Sequence, residues 1–180
     1  MSLQFLLDGL ISGSMIGLGA IGITLTYSIL RFSNFAHGDF MAWGTYATLV
    51  IVGALGGSTA LGPFSFGLPV LVSLVAAMAL TALLALALDW ALFARLRARG
   101  QSIIVVMASF GASMALRSLL EFIFTSRPTY FSRAIQMATP VGFGIKITAD
   151  QVALLALTLV LVIAMHLFLS RSQRGREMRA

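Results

Sequence analysis

LPVLVSLVAAMALTALLALALDWALF, residues 68 to 93, carries a single charge, Asp89, and carries it near its end. A hydrocarbon core of about 30 Å takes roughly 20 helical residues to cross, so this run is long enough to span a bilayer. Working outward, four more apolar runs are bounded by charges or turn residues, at 9–30, 40–55, 102–124 and 151–169. The second is the shortest. It reaches full length only if residues 36–39 begin the helix, so this element is expected to start inside the membrane or to be irregular there. The sequence therefore predicts an all-α, polytopic transmembrane helical bundle of about five spans, with residues 1–180 forming a single transmembrane domain.

The composition agrees. Of 180 residues, 59% are hydrophobic and 10% charged, more apolar than one soluble core requires. The formal net charge of +6 lies between the apolar runs, with no aromatic-studded basic stripe, which argues against nucleic acid and for membrane orientation. Cysteine is absent, which excludes a disulfide framework, a thiolate nucleophile and a Cys-based metal site. The first run has no Lys or Arg before Arg31 and is too long for a signal-peptide core, so it reads as a retained span.

Cytoplasmic loops retain positive charge. With the N-terminus outside, Arg31, Arg95, Arg97, Arg99, Arg171, Arg174, Arg176 and Arg179 fall in the cytoplasm, against Arg127, Arg133 and Lys146 outside. The predicted topology is thus an external N-terminus and a cytoplasmic C-terminus. Residues 126–148 become an extracytoplasmic loop, in which Val141, Phe143, Ile145 and Ile147 alternate with smaller or polar residues and predict a short strand or hairpin. Thr148 or Asp150 is placed to cap the last helix. The other outer connection, GGSTALGPFSFGLP at 56–69, is turn-rich, with room for a short re-entrant piece.

Three features could carry function. Gly9, Gly13 and Gly17 share one face of the first span, where small residues let another backbone approach closely; helix packing is the favoured reading. RFSNFAHGDF, residues 31–40, gathers Arg31, Asn34, His37 and Asp39 in one turn. Its plainer reading makes Asn34 and Asp39 helix caps and Gly38 the turn residue, and one His with one Asp supplies too few ligands for a metal. Arg117 and Glu121, four apart in the fourth span, should pair or face the protein interior, because an unpaired charge at a span centre costs roughly 2.5–3.5 kcal/mol. Lining a translocation path is the second reading for this pair, and the Asn34, His37, Asp39 turn would be a structural element beside that path. Asp89 is placed to meet Arg95 or its neighbours, with Trp90 interfacial, and His166 reads as packed or interfacial. No catalytic residues stand out: there is no P-loop, no His-Glu-x-x-His helix and no Ser with a usable His partner.

SNFAHGDF at 33–40, following a Gly-rich first span, is similar to the permease subunits of bacterial ABC importers for branched-chain amino acids. SRSQRGREMRA at 170–180 resembles the start of that family's cytoplasmic coupling segment, with Gly175, Met178, Arg179 and Ala180 matching its Gly-x-x-Met-Arg-Ala pattern and Arg176 among them. The basic ARLRARGQSI and the helix after it also resemble the family, so the likeness covers essentially the whole chain. It implies a multi-pass protein of the bacterial inner membrane that moves a hydrophobic amino acid or related amide. It implies a second permease subunit, an extracytoplasmic solute-binding protein and cytoplasmic ATPase subunits that bind ATP and Mg, with no cofactor in this chain. Residues 171–180 would open the coupling segment that engages the ATPase. Members of that family continue through about three further spans, so the expectation is an incomplete copy. Two alternatives stay open: a secondary transporter or channel, which would call for more intramembrane ionisable groups than Arg117, Glu121 and His166, and a scaffold that assembles partners through its glycine faces.

Overall fold

The computed structural model describes residues 2–30, 32–57, 64–98, 102–125, 129–131, 138–142 and 145–171. Five helices follow the five apolar runs: α1 (Ser2–Leu30), α2 (His37–Ala54), α3 (Leu68–Arg97), α4 (Ser102–Phe124) and α5 (Ala149–Arg171). Among the described residues α1, α3, α4 and α5 are long and apolar enough to cross a membrane, and α2 is not, because its first half is polar. The chain is an all-α, multi-spanning bundle with four to five membrane-length apolar helices. Two compact units compose it, one of residues 1–31 with 135–180 and one of residues 32–134.

In the first unit α1 packs on α5, and a two-stranded antiparallel hairpin, β1 (Thr139–Gly142) and β2 (Ile145–Ile147), lies against α1. Thr139 pairs with Ile147 and Pro140 with Lys146, with a bulge before Gly142. The period-two pattern is thus a hairpin. Its outer edge is not left bare. The Gln4 side-chain amide accepts from the Lys146 N–H at 3.0 Å and donates to the Lys146 carbonyl at 3.3 Å, imitating a third strand at the point where Gln4 also reaches Asp8. Thr148 caps α5: its hydroxyl accepts from the Gln151 N–H while the Gln151 side chain accepts from the Thr148 N–H, a reciprocal box that satisfies two backbone donors. A Cβ on Gly9, Gly13 or Gly17 would meet nothing within 4 Å, so among the described residues these glycines make no tight packing contact.

In the second unit α2 lies along α3 and α4. The close approach is at Gly44, where a Cβ would stand 3.1 Å from the Thr81 hydroxyl oxygen. α2 ends where Gly56 and Gly57 adopt φ of +92°, a conformation that costs glycine little. α3 does not run as a uniform helix. Residues Asp89–Phe93 form a π turn before the chain resumes as α-helix to Arg97. Residues eight apart in an α-helix sit about 80° apart around the axis. The wider turn reduces that rotation, and Asp89 receives a bidentate grip from Arg97 at 2.7 and 2.9 Å. The Asp89 partner is therefore Arg97. Arg95 instead stands over the Trp90 ring, 5.4 Å from its centroid. Phe93, 2% exposed, anchors this turn in the core, its ring 5.7 Å from that of Phe32.

Candidate functional site

The stretch 32–40 is built from the turn upward. Asn34 folds it: its side-chain oxygen accepts from the Ala36 N–H at 3.1 Å and its carbonyl from the His37 N–H at 3.3 Å. α2 then starts at His37 with no side-chain cap on its N-terminus, so Asp39 is not a cap. The Asp39 carboxylate reaches across to α4 and accepts a short hydrogen bond from the Ser113 hydroxyl.

α4 pins this stretch at successive turns. Ser109, fully buried, accepts from the Phe35 N–H at 3.2 Å and donates to the Val106 carbonyl at 2.8 Å. Trp43 donates from its indole to the Leu116 carbonyl at 3.1 Å, and the Tyr46 and Phe124 rings stack 4.7 Å apart. The order Ser109, Ser113, Leu116, Phe124 against Phe35, Asp39, Trp43, Tyr46 shows that the two helices run in the same direction. Ser109 and Ser113 lie about 10 and 16 Å along α4 from its start, at 1.5 Å per residue. The non-helical residues before α2 and its polar first turn are therefore held beside the middle of a membrane-length helix. The expectation that this element begins partway through its span agrees with that placement.

Between the two helices lies an open cleft of about 630 Å³. α2 contributes Gly38, Asp39, Ala42, Trp43 and Tyr46, α4 contributes Ser113, Arg117, Leu120 and Glu121, and Thr125 follows directly after α4. Both sets are single helix faces, spaced by three and four. Along α4, Ser109, Ser113, Arg117 and Glu121 recur every fourth residue, a polar stripe down a largely apolar helix. A stripe of this kind is stable in a bilayer only against protein or water.

Of the residues singled out from sequence, Asp39, Arg117 and Glu121 meet in this cleft. Asn34 shapes the turn behind it, and His37, half-buried at the first position of α2, does not line it. Arg117 and Glu121, both exposed, make no ion pair with each other among the described residues. Arg31, Gly175, Arg176, Met178, Arg179 and Ala180 lie outside the described residues, as does 58–63 of the proposed re-entrant stretch. The sequence reading passed over Trp43, Tyr46, Ser109 and Ser113, although the four-residue ladder through Arg117 and Glu121 extends to both serines. No group of three or more His, Cys, Asp or Glu capable of holding a metal occurs among the described residues.

Comparison with known proteins gives the following. The family model described as branched-chain amino acid transport system, permease component, matches residues 5–180. The high-affinity branched-chain amino acid transport system permease protein BraD of Pseudomonas aeruginosa is 28% identical over 186 residues, covering 99% of this chain and 58% of the relative. The permease proteins LivH of Escherichia coli K12 and of Salmonella typhimurium, described in the same words, are each 26% identical over 182 residues with the same coverage. The chain thus spans 58% of the length of these relatives. No solved structure matches it significantly.

Proposed function

The chain belongs to the family of permease components of branched-chain amino-acid transport systems, and from that membership we propose that it serves as a transmembrane permease subunit of an ABC importer for branched-chain or related hydrophobic amino acids. It is a multi-pass protein of the inner membrane, and its family is one of transport permeases, not enzymes. The family match over nearly the whole chain is the observation that carries the reading. The polar cleft between α2 and α4 supports it, since a solute crossing a bilayer needs a polar surface that lipid does not cover.

In this reading the N-terminus lies outside and Arg171 onward lies in the cytoplasm. A second permease subunit completes the path, a solute-binding protein delivers the amino acid from outside, and ATPase subunits hydrolyse Mg-ATP beneath it. Closure of the ATPase moves the segment 171–180 and with it α5, which shifts against α1 and changes the side to which the path opens. Arg176 and Arg179 engage the ATPase. Replacing both with Glu in the assembled importer should abolish ATP-coupled leucine uptake in proteoliposomes or release the ATPase on purification. Coupled uptake at the parental rate would refute the assignment.

A further inference from the structure

The α2–α4 cleft holds two kinds of charge that do not satisfy each other. Arg117 and Glu121 are four apart on one helix, with Cβ atoms about 5–6 Å apart, a spacing that ordinarily closes into an intrahelical pair. They stay open, both facing the cleft. Asp39, on the opposite wall, is fixed through one carboxylate oxygen by Ser113, one helical turn below Arg117. Ala42, Trp43 and Leu120 supply an apolar wall among these charges. The volume falls within the roughly 300–1,000 Å³ of small-molecule sites, which are mostly apolar with a few placed polar groups.

We propose that this cleft is a binding site for a zwitterionic α-amino acid, with the carboxylate on Arg117, the ammonium on Asp39, and the aliphatic side chain along Ala42, Trp43 and Leu120. The proposal rests on the permease reading and adds the site to it. Its logic is one of complementary charge: one guanidinium offers a paired set of donors to a carboxylate, and the free Asp39 oxygen offers an acceptor to an ammonium. A neutral amide or a simple carboxylate would leave one of these sets unmatched. Ser113 is a positioning residue, because it holds Asp39 and leaves the second carboxylate oxygen for the ligand.

The test uses the two tryptophans of the chain. Trp90 lies outside the cleft, so W90F leaves Trp43 as the reporter on its wall. The W90F chain in lipid nanodiscs is titrated with L-leucine, with L-leucinamide, which lacks the carboxylate, and with 4-methylpentanoate, which lacks the ammonium. Leucine should change Trp43 emission saturably, and each analogue should need at least tenfold higher concentration. Adding R117Q should weaken leucine at least tenfold while moving leucinamide less than twofold, and R117K should recover part of the preference. D39N should do the converse, weakening leucine but leaving 4-methylpentanoate little changed. Equal responses to the three ligands, or a leucine titration unaltered by R117Q and D39N in chains that elute as the parent does, would overturn the site. No ATPase or binding protein takes part. Leucine bound as described alongside intact coupling in the Arg176 and Arg179 variant would therefore leave the cleft standing and remove the importer mechanism. Loss of coupling in that variant with charge-blind titrations would remove the cleft alone.

Discussion

Ser109 illustrates how much one small polar side chain can decide. Its hydroxyl is fully buried and satisfies the Phe35 amide at the point where the backbone leaves helical geometry before α2. Ser109→Ala would strand that amide without a partner, a cost of roughly 1–3 kcal/mol. The expected outcome is a lower unfolding temperature in detergent, with Ser109→Thr closer to the parent. The sequence displayed Ser109 and Ser113 as members of a four-residue ladder, yet small hydroxyls inside apolar helices are common, usually bonding to their own helix as Thr24, Thr48 and Thr81 do here. Nothing in the sequence alone separates a serine that bonds inward from one that bridges to a second helix. Gly44 was hidden for a similar reason: the Gly9, Gly13, Gly17 spacing is conspicuous, while a lone glycine opposite Thr81 gives no periodic signal.

At the scale of elements the helices were legible because apolar runs of membrane length admit few alternatives, and their edges matched to within about four residues except at the start of α1, which begins at Ser2 instead of Gly9. α1 and α5 begin earlier than their most apolar cores, extended by Gln4 and Asp8 in one and by the Thr148–Gln151 box in the other. The hairpin was legible from its period of two. What ties it down was not, since Gln4 lies 142 positions from Lys146. Gln4→Ala should speed hydrogen exchange at the Lys146 amide by removing its acceptor, with exchange in the middle of α5 unchanged. An unaltered Lys146 rate would show that the hairpin does not depend on that grip. The π turn in α3 left no mark in the sequence either, as Asp89–Phe93 is an ordinary apolar-rich segment whose under-wound turn is rewarded by the Arg97 contact and the burial of Phe93.

For the molecule as a whole, composition and span length pointed to a multi-pass membrane protein, and two short motifs pointed to the family whose model matches residues 5–180. Topology is the property on which the proposed coupling depends. The chain contains no cysteine, so single cysteines can be introduced without a prior background replacement. A membrane-impermeant maleimide applied to intact spheroplasts should label Tyr130→Cys and spare Ala98→Cys until the membrane is opened. The reverse pattern would invert the orientation and leave the basic tail on the wrong side for ATP. The cleft could not be foreseen in this way, because its two walls come from residues more than seventy positions apart and only folding sets Asp39 opposite Ser113.

The bridges from Ser109, Ser113 and Leu116 to Phe35, Asp39 and Trp43 fasten α4 at three successive levels to α2 and the turn just before it. Sliding or twisting one helix against the other would have to break all three together. α2 and α4 are accordingly a splinted unit, and the rearrangement in the proposed transport cycle would have to carry them as one piece, much as a lever arm swings without bending.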